Sequence, residues 1–229
     1  MIEVKGLFKS YHDGDHEVIP LNDTEFTCER GDFVLIVGRS GTGKTTLLNT
    51  IGGLTRPDRG SVLVAGNDIL SLTDKKGAAV RSSIIGFVFQ FPGLLSSLTA
   101  LENVILPTEI AGNTPSKEKG LKLLENVGLK DKANNSPYQL SGGELKRTSI
   151  ARALINDPLL ILADEPTADL DYDTELEIME LFAEINKAGT TIIMVTHNVD
   201  LVRYANRVFK MEHGKLIEVS QVPQNAAGN

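Results

Sequence analysis

Gly38-Arg39-Ser40-Gly41-Thr42-Gly43-Lys44-Thr45-Thr46 stands between the apolar run Phe33-Val34-Leu35-Ile36-Val37 and the segment Leu47-Leu48-Asn49-Thr50-Ile51. A buried strand, a glycine-rich turn and a helix, in that order, are the context in which such a turn cradles phosphate. Glycines lack Cβ atoms, so successive backbone N–H groups can close around phosphate oxygens at the positive end of the helix. The spacing predicts that Lys44 reaches the β- and γ-phosphates of a nucleoside triphosphate, while the Thr45 hydroxyl joins a Mg²⁺ shell.

Working outward, Leu159 to Ala163 and Thr191 to Thr196 are continuous apolar runs separated by a helical segment over 174–186. That pattern predicts parallel strands covered on both faces. Ile84 to Phe89 reads as another buried strand, ending at Gln90. Before the cradle, residues 1 to about 30 alternate, with Ile2/Val4 and Phe26/Cys28 on one face and a polar turn at His12-Asp13-Gly14-Asp15. Together with a strand over 61–65 they predict an antiparallel layer. From Pro92 to about Asp157 the pattern is mainly helical, with helices opening at Lys117 and Gly143 and a stop at Asp157-Pro158. Residues 208–211 and 215–218 read as a hairpin turning at His213-Gly214. The expected class is α/β: a P-loop core with a mainly parallel sheet, an antiparallel β subdomain and an inserted α-helical subdomain. The expected organisation is one domain over 1–229, with 1–91 and 158–220 as core and antiparallel layer, 92–157 as helical subdomain and 221–229 as a polar tail.

Composition narrows the function classes. The 229 residues are 41% hydrophobic and 23% charged, which is ordinary for a globular chain. A net charge of −7 disfavours general binding to nucleic acid or anionic lipid, so no nucleic-acid partner is expected. No apolar run approaches the ~20 residues that span a bilayer. A membrane role is therefore expected to pass through a separate protein. The N-terminus lacks a secretory pattern and Cys28 stands alone, which together point to a reducing cytoplasm. Cys28 itself is expected to be a small core hydrophobe.

Two further elements carry chemistry. Asp164-Glu165 follows an apolar strand at the carboxyl end of the predicted parallel sheet, where open α/β folds bind ligands. Asp164 is expected to hold Mg²⁺ and Glu165 to polarise the attacking water; a polar loop after a strand is the plain alternative. Leu140-Ser141-Gly142-Gly143-Glu144 is a second glycine-rich helix opening. It is either an N-cap by Ser141 or an anion-binding loop serving the nucleotide of another copy.

These segments together make the chain resemble, over nearly its whole length, the ATP-binding cassette (ABC) ATPases, the nucleotide-binding subunits of ABC transporters. The resemblance implies that Gly38 to Thr46 is the Walker A loop and that Gln90 is the Q-loop residue, joining Thr45 and Asp164 around Mg²⁺. It further implies Leu140 to Glu144 as the signature sequence, Leu160 to Asp164 as the Walker B strand and Glu165 as catalytic base. Asp171 becomes the D-loop acid, His197 the switch histidine and Tyr11 the aromatic stacked on adenine. Ser141, Gly142, Gly143, Glu144 and Asp171 would act in trans, across a homodimer. Ile84 to Gln90, Leu98 to Val104 and Gly52-Gly53-Leu54 look like the lipoprotein-release, macrolide-export and cell-division group. The chain departs from the usual pattern at Arg39, Thr45, Lys146 and Asp169, and the last two are expected to alter dimer contacts. The resemblance implies ATP and Mg²⁺ as ligands and a permease-type membrane partner, with a peripheral place on the inner face of the membrane. That partner is expected to dock on Phe91, Leu94, Leu95 and Leu101. The alternative within the same resemblance is a regulatory ATPase that controls an envelope hydrolase and moves no substrate.

Overall fold

The computed structural model describes residues 1–14, 16–72 and 74–219, so the expected tail at 221–229 lies outside the described residues. The N-terminal alternation forms a long antiparallel pair, β1 (Ile2–Asp13) and β2 (His16–Cys28). β3 (Phe33–Val37) and α1 (Lys44–Ile51) follow, with the glycine-rich turn between them. β4 (Arg59–Val64) pairs with β1 and the short β5 (Asn67–Asp68) with β4, giving an antiparallel sheet in the order β2-β1-β4-β5. α2 (Asp74–Ile84) leads into β6 (Ile85–Val88), and the helices α3 (Ala100–Ile110), α4 (Lys117–Asn126) and α5 (Gly142–Leu154) come next. β7 (Leu160–Asp164), α6 (Tyr172–Lys187) and β8 (Thr191–Thr196) form the predicted βαβ unit, and β9 (Arg207–Glu212) with β10 (Lys215–Glu218) the predicted hairpin.

The second sheet has the order β10-β9-β3-β8-β7-β6 and is parallel except at β10. Its central strands are apolar throughout because each face has its own cover. Val34, Ile36, Leu160, Leu162, Ile193 and Val195 enter a core shared with α1 and the antiparallel sheet. The alternate positions Phe33, Leu35, Val37, Ile161, Ala163, Ile192 and Met194 face α5 and α6. This period of two sorts one run of apolar residues into two cores.

The helical unit has a separate core of Val104, Ile105, Leu124, Val127, Leu129 and Leu140, to which α5 adds Ala151 and its C-cap Ile155. α3 begins with a capping box between Thr99 and Glu102 and tolerates Pro107 within it. The buried Asn103 amide donates to the carbonyls of Leu95, Leu98 and Thr99 and accepts from Leu95 N–H, which staples the loop ahead of the helix. Two expectations need correction. Ile84 closes α2 and does not open the strand, because α2 was not anticipated at all: its sequence Asp-Lys-Lys-Gly-Ala-Ala-Val-Arg-Ser-Ser-Ile is weakly apolar. Leu101, expected at the docking surface, is partly buried against the core of the helical unit, since its place in the first turn of α3 turns it inward.

Cys28 is 1% exposed, and burial, with Asp32 beside it, pushes its thiol up to about 12. The thiolate is the reactive species. Native protein at mildly alkaline pH should therefore leave a thiol-reactive disulfide reagent unconsumed over the time in which guanidinium-unfolded protein reacts to completion. Rapid reaction of the folded chain would show that the β1–β2 layer opens readily.

Candidate functional site

Parallel register decides where the chemistry gathers. Val37 at the end of β3 sits beside Thr196 at the end of β8, and Asp164 at the end of β7 beside Val195. The next residues of all three strands, Gly38 onward, Glu165 and His197, therefore leave the sheet at one edge. Gly43 ends the turn with φ 106°, and a Cβ there would lie 2.1 Å from the Pro20 carbonyl oxygen. Only glycine fits, on grounds of both conformation and space.

Lys44 opens α1 and is buried. Its Nζ donates to the carbonyls of Gly38 (2.8 Å) and Arg39 (3.1 Å) and lies 3.7 Å from Glu165 Oε1. Thr42 Oγ1 also donates to the Arg39 carbonyl, so the loop is curled around its own oxygens. Thr45 Oγ1 donates to Asp164 Oδ1 at 3.1 Å. Burial raises the Asp164 carboxyl above its ordinary range; Thr45 pulls it down, neighbouring Glu165 adds to the rise, and Lys44 and Lys146 oppose it. A buried carboxylate paired with a hydroxyl is a site that gains from a cation.

Glu165 adopts φ 44°, a left-handed conformation costing a non-glycine residue about 1–3 kcal/mol. Its N–H is held by the Val195 carbonyl, and its Oε2 accepts from His197 N–H (3.2 Å) and lies 2.9 Å from His197 Nδ1. One carboxylate thus faces Lys44 with one oxygen and His197 with the other. Glu175 of α6 fastens the two loops from below, accepting from Thr167 Oγ1 (2.8 Å) and from Asn198 Nδ2 (3.0 and 3.2 Å).

A cavity of ≈ 300 Å³ is lined by Tyr11, Ser40, Gly41, Gly43, Lys44, Thr45, Thr46, Gln90 and Glu165. Asp164 and His197 join these residues through the bonds just given. Gly38, Arg39 and Thr42 face a neighbouring cavity of ≈ 630 Å³ on the other flank of the loop, against the β9–β10 turn. Val18 and Pro20 of β2 also line the smaller cavity and were not anticipated. Their signal was an apolar Val18-Ile19-Pro20 run that breaks the alternation of the strand, with Val18 54% exposed beside Tyr11.

Ser141, Gly142, Gly143 and Glu144 line a separate cavity of ≈ 500 Å³ together with Asp169, Asp171 and Thr174. It shares no lining residue with the Lys44 cavity. Ser141 caps α5 in a reciprocal box with Glu144, whose carboxyl is held low chiefly by the Ser141 N–H. Asp171 caps α6, accepting from Thr174 N–H and Oγ1. The cap reading of Ser141 is thus realised in the structure, alongside an open face beside it. Asp169 (φ 64°) is exposed on that face, whereas Lys146, expected at a dimer contact, is buried beneath Gln90.

The residues fit a Mg-nucleotide: an open backbone cradle, a buried ammonium at its rim and a hydroxyl–carboxylate pair beside it. Among the described residues no group of three or more His, Cys, Asp or Glu could hold a metal by itself. A Mg²⁺ here would take most of its shell from phosphate and water, as this ion commonly does.

Residues 21–168 match the family model described as "ABC transporter". The chain belongs to that family. Relatives agree with the assignment. This ABC chain is 47% identical to the macrolide export ATP-binding/permease protein MacB of Rhodopirellula baltica over 95% of its own length and 33% of that protein's. It is 42% identical to the lipoprotein-releasing system ATP-binding protein LolD of Shewanella oneidensis, over 99% of this chain and 98% of that one. The ABC chain therefore spans about a third of the length of this macrolide-export relative and nearly the whole of the lipoprotein-releasing one. Among solved structures it is similar to a dimeric post-hydrolysis state of the ATP-binding cassette MJ0796 bound to ADP and Pi, with TM-score 0.89, 37% identity and coverage of 96% and 98%.

Gly43→Ala should remove binding of a fluorescent ATP analogue, because the methyl group must displace either the cradle or the Pro20 backbone. Overpacking of this kind typically costs about 1–3 kcal/mol. Equilibrium titration with a melting curve on the same sample checks it; unchanged affinity would mean that the loop is looser than its geometry indicates.

Proposed function

We propose that this chain is the ATP-hydrolysing nucleotide-binding subunit of an ABC transporter complex, dimerising head to tail around two Mg-ATP and driving an integral membrane partner of the lipoprotein-release or macrolide-export type. The observation that carries the reading is the meeting of Lys44, Thr45, Asp164, Glu165 and His197 at one sheet edge. Gly38 to Thr46 bind the triphosphate, with Lys44 turning from its loop carbonyls to the β- and γ-oxygens. Thr45, Asp164 and Gln90 would hold Mg²⁺, which would supply neutralisation of charge on those oxygens. Glu165 orients and deprotonates the attacking water, and His197, bonded to the same carboxylate, holds that geometry beside the γ-phosphate. Tyr11 stacks on adenine with Val18 and Pro20 beside it.

The second cavity supports the dimer. A capped glycine-rich helix start, open to solvent and sharing no residue with the Lys44 cavity, fits the nucleotide of another copy, with Ser141, Gly142, Gly143, Glu144 and Asp171 acting in trans. The MJ0796 relative, a dimer bound to ADP and Pi, supports the same assembly. No helix among the described residues is long and apolar enough to cross a membrane, and in this reading the integral membrane partner supplies the crossing. Phe91 (74% exposed) and Leu95 (49%) offer that partner an apolar foothold just after Gln90. The chain then works on the cytoplasmic face of the membrane.

Glu165→Gln should retain ATP binding while turnover falls about 10²–10⁴-fold, the usual cost of losing a general base, and an ATP-held dimer should accumulate on a sizing column. Near-normal ATPase would remove Glu165 from the role of base. Trans action is checked by mixing Lys44→Ala chains with Ser141→Arg chains, each inactive alone. A heterodimer carries one doubly damaged site and one intact composite site, so activity should partly return. If each chain served its own nucleotide, mixing would restore nothing.

A further inference from the structure

α5 starts at the Ser141 loop and runs beneath the segment that follows β6. Two of its cations grip that segment by backbone alone. Lys146 Nζ donates to the carbonyls of Phe89 (3.1 Å) and Gln90 (2.6 Å). Arg152 donates through Nη1 to Gly93 (2.8 Å) and through Nη2 to Pro92 (2.5 Å). Lys146 is 2% exposed and makes no ion pair among the described residues. The charged groups acting on it are Asp169, from the loop before α6, and Asp164 of β7. Burying an ammonium against carbonyls is costly when an apolar side chain of similar length would fill the same space. What the cation supplies, and an apolar residue could not, is a fixed position for the Phe89–Gln90 turn. The Gln90 side chain lines the cavity of Lys44, Thr45 and Glu165.

We propose that Lys146 is a positioning residue, which acts through Gln90: its ammonium fixes the Gln90 backbone relative to α5, so that Gln90 is set from the helix that carries the Ser141 loop. In a dimer of the kind proposed above, on which this inference rests, the Gln90 of one nucleotide site is thereby tied to the helix that faces the other. Arg152 holds the far end of the same segment, toward Leu95, and makes no bond to Gln90.

The experiment is a double-mutant cycle on the full chain with Lys146→Met, Gln90→Ala and the double variant. Turnover, KM for ATP, binding of a fluorescent ATP analogue and hydrogen exchange of backbone amides 90–95 are read for each. Lys146→Met should lower kcat about 10-fold, the scale of losing an outer-shell positioning contact, and speed exchange over 90–95 with β3 unchanged. ATP-analogue affinity should stay near wild type. In the Gln90→Ala background the same change should cost nothing further in kcat. Losses that multiply in the double variant would overturn the proposal, as would a wild-type kcat for Lys146→Met while Gln90→Ala is impaired; either result leaves the proposed function standing. A fully active Gln90→Ala would overturn both the role given to Gln90 and this inference. Should Lys146→Met fail to fold, the cycle is repeated with Lys146→Gln, which keeps a polar end but falls short of the carbonyls, and the same non-additivity is expected.

Discussion

Register between parallel strands is the constraint on which the site depends. Side chains along β3, β8 and β7 are hidden on both faces, so none of these strands can slip by one residue without exchanging the contents of two cores. Because Val37 is held beside Thr196, and Asp164 beside Val195, the residues leaving the strands are placed to within the pleat of the sheet. Lys44, Glu165 and His197 are distant in sequence and brought together in space chiefly for that reason. The loops add local devices: a glycine at φ 106°, a glutamate at φ 44° and a carboxylate, Glu175, that ties the Thr167 and Asn198 turns together.

Electrostatics follow from this placement. Asp164 and Glu165 are neighbours, one buried in the sheet end and one half-buried above it, and Lys44 stands near both. Their mutual repulsion and the burial of Asp164 are offset in part by Thr45 and Lys44. A divalent cation beside Asp164 would relieve the remainder, and the arrangement is therefore pre-set for its ligand without closing around it.

How much of this was legible in the sequence depended on the kind of signal each residue leaves. Continuous apolar runs at 33–37, 159–163 and 191–196 announce strands buried on both faces, because runs this short, largely β-branched and bounded by turn residues suit a strand better than a helix. The glycine-rich turn announces itself, since few other residues could occupy Gly43. α2 left no such mark, being short of apolar positions, and α3 was blurred by Pro107. Val18 and Pro20 reach the cavity through pairing of β1 with β2, a long-range fact that local pattern does not encode. Lys146, expected at a dimer contact, is a related case: its sequence neighbours do not reveal the carbonyls of Phe89 and Gln90 that tertiary structure brings to it.

α5 serves two interiors at once. Ile150 and Ala153 press on the parallel sheet, while Ala151 and the cap residue Ile155 complete the core of the helical unit. α1, by contrast, commits Leu47, Leu48 and Ile51 to a single interior. A methyl group gained or lost on α1 can be answered by its immediate neighbours. On α5 the same change shifts a rod that both interiors share, and a compensation suited to one is a disturbance to the other. The apolar positions of α5 should therefore drift through evolution as a linked set, slowly, and in step with residues in two separate layers.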